Sequence, residues 1–225
     1  TDGISAPFWE RRVIMTKVLA LFRGDVRSVV RCNKFLLVMI FGYQAAYVLG
    51  ALSFLGILTV VLGGMLAYTS IAMDERDGWN RFVLTTGYSR KEYVLSKYLL
   101  GVAGTLFCSL TMGMFSLIGM SMGKISAENN IAFLLPVLIG GTLIMLSVAL
   151  PLSFWFGMEK ARLLSILIIA LACGFTGAFA GFTEGNDGLP FQGWSFTGLM
   201  MIVVSVIILA LSVLISLKVF DRREF

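Results

Sequence analysis

The chain has 225 residues, of which 58% belong to the hydrophobic set AVILMFWYC and 14% are charged, against roughly 45–50% and about 25% in a soluble domain. A water-soluble fold cannot hide that much apolar side chain. The 18 basic and 13 acidic residues gather in short segments, leaving the tracts 35–73, 98–123, 131–158, 163–183 and 188–217 without any charge. Histidine is absent, which removes the commonest general base and metal ligand and excludes hydrolytic triads built on imidazole.

Uncharged tracts of this length match helices that cross a bilayer. The expected fold class is an all-α membrane protein with six transmembrane helices, an N-terminal amphipathic interfacial helix and both termini cytoplasmic. Residues 1–14 are set apart as an extension whose origin the sequence leaves open, because Met15 opens a segment that reads like a natural start. A long basic stretch precedes the first span and no small-residue cleavage site follows it, so the span reads as an uncleaved anchor.

Residues 15–34 form an amphipathic pattern. Val18, Phe22, Val26, Val29 and Val30 fall on one helical face, and Arg23, Arg27 and Arg31 repeat every four residues on another. Such a helix lies in the cytoplasmic interface, with its arginines toward lipid phosphates. Two roles stay open for it: simple anchoring, or a lever between a cytosolic partner and the first span.

Residues 35–225 form the six-helix domain. The tract from Phe35 to Met73 would be about 58 Å long as one helix, twice the hydrocarbon thickness. It therefore folds back near Gly50 to Ser53, giving spans at 34–49 and 53–73. Four further spans are expected at 98–122, 131–157, 163–183 and 197–217. Every Lys and Arg except Lys124 then falls on one side, which the positive-inside rule makes cytoplasmic. The net charge of +5 follows from this topology, with anionic lipid headgroups as its partners and no nucleic acid.

The charge-dense loop at 74–97, DERDGWNRFVLTTGYSRKEYVLSK, is the most informative segment. Ser89 followed by Glu92 is a capping box that starts a helix leading into the third span. Gly78 and Gly87 bracket a short segment with Trp79, Phe82 and Val83 at helical spacing, which fits insertion into a partner's groove; a Trp anchored at the headgroups is the plainer reading. On the other side only 123–130 and 184–196 are exposed, too little for an external receptor domain.

Beyond Lys34 at the edge of the first, the predicted spans contain no Asp, Glu, His, Arg or Lys, so nothing in them carries a coupling proton; sodium coupling through carbonyls at broken helices stays open. No filter motif for a channel occurs. The one Gly-Lys pair, Gly123-Lys124, has Ile118 and Ile125 where a phosphate loop needs Gly and Ser or Thr. No cofactor is expected in this chain. Gly119-x-x-x-Gly123 and Gly177-x-x-x-Gly181 are candidate helix-packing notches, and Pro136 and Pro151 lie in the fourth span, where each removes a backbone donor. Cys32, Cys108 and Cys173 show no pairing logic and read as small buried hydrophobes.

Taken together, the amphipathic MTKVLALFRGDVRSVVRCNK, the acidic DERDGW ending the second span, the run TTGYSRKEYVLSKYLLG and six spans with both ends inside resemble the membrane subunit of type 2 ABC transporters, which includes bacterial exporters of drugs, peptides and bacteriocins. The resemblance covers Met15 to Phe225. It implies a multi-pass protein of the bacterial cytoplasmic membrane that moves an apolar or amphipathic substrate outward. It further implies a separate cytosolic ATPase subunit that holds ATP and Mg, and a second permease chain, identical or not. The 74–97 loop would be the coupling element, with Glu75, Arg76, Trp79, Arg81, Phe82, Tyr88, Ser89, Arg90 and Glu92 as the residues engaging the ATPase. The competing readings are a stand-alone secondary transporter or channel, and a membrane scaffold that recruits a cytosolic partner through the same loop.

Overall fold

A computed structural model describes residues 8–49, 53–86, 88–123, 135–157, 160, 161, 163 and 194–221. Every regular element among them is helical: α1 (Phe8–Cys32), α2 (Lys34–Val48), α3 (Ser53–Asp77), α4 (Trp79–Thr85), α5 (Arg90–Ser121), α6 (Leu135–Phe156) and α7 (Trp194–Asp221). Among the described residues, four segments are long and apolar enough to cross a membrane: Leu55–Asp77, Arg90–Ser121, Leu135–Phe156 and Met200–Lys218. Helix α2 is apolar but has 15 residues, about 22 Å, short of a full hydrocarbon core. The expected fifth span at 163–183 and most of the 184–196 loop lie outside the described residues.

Helix α1 runs without a break through residue 15 to Cys32. Its inward stripe is Leu21, Asp25 and Val29, flanked by half-buried Val18, Phe22 and Val26. Two details depart from the expected face. Val30 is exposed, and the stripe contains an acid. Cys32 is likewise exposed, whereas Cys108 is buried. The helix stops at Asn33, whose N–H still bonds to the Val29 carbonyl while its own carbonyl accepts from Leu36 and Leu37. That junction ends one helix and starts the next.

Helices α3 and α5 touch backbone to backbone. A Cβ on Gly63 would meet the Gly104 carbonyl oxygen at 2.6 Å and Cys108 Cβ at 2.8 Å, and a Cβ on Gly104 would collide with the Gly63 carbonyl. The adjacent Gly64 and Gly101 admit Thr142 and Leu146 of α6. These four glycines, none in a G-x-x-x-G frame, are the packing notches. Gly123, by contrast, sits past the end of α5 at φ +66°, in the left-handed conformation glycine tolerates best; it ends the helix instead of packing one. Gly177 and Gly181 lie outside the described residues.

Helices α6 and α7 form the other close pair, with Gly140 against the backbone of Met201. Pro136 falls in the first turn of α6, where a missing N–H costs nothing. Pro151 lies inside the helix and leaves the carbonyl four residues back, on Ser147, without its helical donor. The Ser212 hydroxyl of α7 donates to that carbonyl at 2.6 Å. Tyr98 Oη of α5 is hydrogen-bonded to Ser212 Oγ at 2.6 Å and Ser216 Oγ at 2.8 Å, so three helices meet around the proline. A neighbouring helix thus satisfies the backbone group that the bilayer cannot.

Candidate functional site

The end of α3 and the start of α5 build a compact helical hairpin with α4 at its tip. Gly78 takes φ +69°, a left-handed turn that stops α3 and redirects the chain into α4. After α4, Ser89 adopts an extended backbone and caps α5. Its hydroxyl accepts from the Glu92 N–H at 3.2 Å, and the Glu92 carboxylate accepts from the Ser89 N–H at 2.8 Å. Both halves of the capping box expected from the sequence are present. This fixes where α5 begins and therefore how α4 is presented.

Among the residues picked from the sequence, Trp79 and Phe82 stand out. They are 43% and 57% exposed, and their rings lie 5.2 Å apart, forming one apolar ledge. Val83, one turn beyond Trp79 and next to Phe82, is buried in the core with Leu21, Val29, Ile71 and Tyr93. Helix α4 is thus fastened through Val83, while its two aromatic rings stay partly exposed. Glu75 and Arg76 are exposed in the last turn of α3. Tyr88 is half-buried and packs against the core. Ser89 and Glu92 are committed to the cap, and Glu92 is buried. Arg90 opens α5, and Arg81 lies within α4. Between α1, the end of α3 and α4 lies a cleft of about 440 Å³, lined by Leu21, Asp25, Asp74, Asp77, Trp79 and Tyr88 among others.

Directly behind this hairpin is a charge cluster that sequence reasoning missed. Lys97, completely buried, places Nζ 2.7 Å from Asp25 Oδ1 of α1 and 2.6 Å from Asp74 Oδ2 of α3. Its third donor goes to Ser70 Oγ at 2.9 Å. Tyr93 Oη donates to Asp74 Oδ2 at 2.9 Å, and its ring centroid lies 5.1 Å from Nζ. Ser96 donates to the Tyr93 carbonyl at 2.8 Å and reaches Asp25 Oδ2 at 3.4 Å. All three ammonium protons are used. Burial pushes the Asp25 carboxyl above its ordinary value of 3.8, with Lys97 pulling the other way. Asp25, Asp74 and Lys97 lie just outside the expected spans, at the end that carries the hairpin. One signal was legible: Asp25 lies in register with Leu21 and Val29, so it shares the apolar face of α1.

Among the described residues no group of three or more His, Cys, Asp or Glu side chains is placed to hold a metal ion. What the arrangement supplies is mechanical: a short helix with exposed aromatics, rigidly fastened to the ends of two long apolar helices. Residues 20–221 match the model of a family described as ABC-2 family transporter protein.

The chain belongs to the ABC-2 transporter family.

As an ABC-2 protein it is a multi-pass membrane component of an ABC transporter, a transport subunit and not itself the ATPase. Membership implies association with an ABC ATPase subunit. No curated protein and no solved structure matches the chain.

Proposed function

We propose that this ABC-2 chain is the permease half of an ATP-driven exporter in the bacterial cytoplasmic membrane, and that α4 is the element seated on the ATPase subunit. The observation that carries the reading is the pair Trp79 and Phe82, half exposed on a short helix that Val83 anchors in the core. Exposed aromatics on a rigid support are the residues that most often dominate binding energy at interfaces. ATP and Mg reside in the partner, where nucleotide binding moves α4 and, through α3 and α5, the spans.

The same reading takes six spans with both termini cytoplasmic, and two permease chains with two ATPases. The substrate class is apolar or amphipathic, such as a peptide, drug or lipid, in keeping with helices whose exposed faces are Leu, Ile, Val, Met and Phe. The buried Lys97 cluster gives little support to ion-driven transport by the chain alone, because every ammonium proton already has a protein acceptor.

The test is purification of the tagged chain from its host, alone and as Trp79→Ala/Phe82→Ala. An ATPase carrying phosphate-loop motifs should accompany the wild-type chain, and the double variant should lose it while staying folded. Retention of the ATPase by the double variant overturns the assignment of α4. Uphill transport by the chain without any ATPase overturns the exporter reading itself.

A further inference from the structure

We propose that Lys97 is a positioning residue that ties the amphipathic helix α1 to the hairpin carrying α4, so that a load applied to α4 is delivered to α1. The transmission step rests on the reading of α4 as the ATPase contact; the tether does not.

One ammonium group serves three helices. It sits on α5 and spends its protons on Asp25 of α1 and on Asp74 and Ser70 of α3. Asp74 stands four residues before Gly78, where the chain turns into α4. Helix α1 also meets this core through the longer Ser96–Asp25 contact at 3.4 Å and through apolar side chains, Leu21 and Val29 chief among them. Apolar contacts are non-directional. The charged contact is not: a charge-assisted hydrogen bond fixes distance and angle together. Val83 of α4 lies in the same cluster as Leu21 and Val29, so the two helices the tether would couple already share a core.

Stability alone is a weak reason for such a cluster, since apolar or neutral replacements of a buried ion pair are often tolerated as well or better. Two carboxylates also share a single ammonium. Removing Lys97 leaves Asp25 and Asp74 facing each other without a counter-charge, so that either one carboxyl takes up a proton or its helix withdraws. Neutralising all three residues removes the repulsion and the tether together, and this separates positioning from folding.

The experiment is hydrogen–deuterium exchange on the full chain in lipid nanodiscs, comparing wild type, Asp25→Asn and the neutral triple Asp25→Asn/Asp74→Asn/Lys97→Met. Loss of one charge-assisted hydrogen bond corresponds to about tenfold in a local opening equilibrium. Amides of residues 17–32 should therefore exchange about tenfold faster in the triple variant, with those of α5 beyond residue 100 unchanged. Unchanged exchange in α1 overturns the proposal. If the triple variant exchanges faster everywhere it is misfolded, and Asp25→Asn, which keeps the Lys97–Asp74 pair, decides: faster exchange confined to α1 supports the tether, and none overturns it.

A second arm adds the ATPase subunit purified with the wild-type chain. Its binding should slow exchange in both α4 and α1 of the wild type, but only in α4 of Asp25→Asn. Equal protection of α1 in both overturns transmission through Lys97. Failure to obtain any ATPase defeats the proposed function instead, and leaves the first arm to judge the tether.

Discussion

Tyr93 and Lys97, one turn apart on α5, converge on the same carboxylate oxygen of Asp74. Tyr93 Oη donates at 2.9 Å and Lys97 Nζ lies at 2.6 Å. Two donors on one oxygen bind the last turns of α3 to the first turns of α5, and the chain between them can only be a tight hairpin with α4 at its tip. The shape of the candidate docking element is thus set by groups that are themselves buried.

Removing one partner from this cluster is expected to cost far more than neutralising an acid. Lys97→Met leaves two buried carboxylates without a counter-charge, a loss of about 3–5 kcal/mol. Asp25→Asn keeps the Lys97–Asp74 pair and a hydrogen-bonding side chain, and its cost is smaller. Thermal unfolding of the two variants in one detergent checks the order: a Lys97→Met midpoint at or above that of Asp25→Asn contradicts it.

The pH dependence has a definite sign. Because burial raises the Asp25 carboxyl above 3.8, the folded chain binds this proton more tightly than the unfolded chain does. The contribution of Asp25 to stability is therefore full below pH 3.8 and is lost as pH rises through the raised value. Wild type minus Asp25→Asn stability, measured across mildly acidic pH, should fall as pH increases in that window. A difference that grows with pH would place the carboxyl below its ordinary value.

Gly63→Ala is expected to push α3 from α5, since the new methyl would lie 2.6 Å from the Gly104 carbonyl and 2.8 Å from Cys108 Cβ. Overpacking of this kind costs about 1–3 kcal/mol. Gly42→Ala on α2 is the control: its Cβ meets nothing within 4 Å, and alanine is the better helix former. Folded yield and unfolding midpoint of the two variants should move in opposite directions, or for Gly42→Ala not at all.

Pro151 and Ser212 are expected to be coupled. Ser212→Ala orphans the Ser147 carbonyl, a loss of about 1 kcal/mol in a membrane setting. Pro151→Ala/Ser212→Ala restores an N–H four residues after Ser147 and should cost less than Ser212→Ala by itself. A double-variant cycle on unfolding checks this. Strict additivity would mean that the Ser212 hydroxyl does not replace the proline's missing donor.

Much of this was legible in the sequence. The turn between the first two apolar helices was expected near Gly50 to Ser53, and α2 ends at Val48 while α3 starts at Ser53. The capping box at Ser89 and Glu92 and the short helix of Trp79 and Phe82 were both visible, because local spacing alone specifies them. Pairings between helices were not. Gly63 and Gly104 belong to no common motif, and their fit depends on how α3 crosses α5. Lys97 looked like the solvated end of a charged loop, because only the fold reveals that Asp25, 72 residues earlier, comes to meet it. Glu92, named from the sequence both as the cap partner of Ser89 and as an ATPase contact, is buried in that cap.

Photocrosslinking from α4 tests the central claim most directly. A benzoyl-phenylalanine is placed at Phe82, and in a separate chain at Met122, exposed at the opposite end of α5. Irradiation of intact cells should link position 82, and not position 122, to a cytosolic protein carrying a phosphate-loop motif. An adduct with that ATPase from position 122, or none from position 82 while the ATPase still co-purifies, would contradict the claim that α4 is where the motor takes hold.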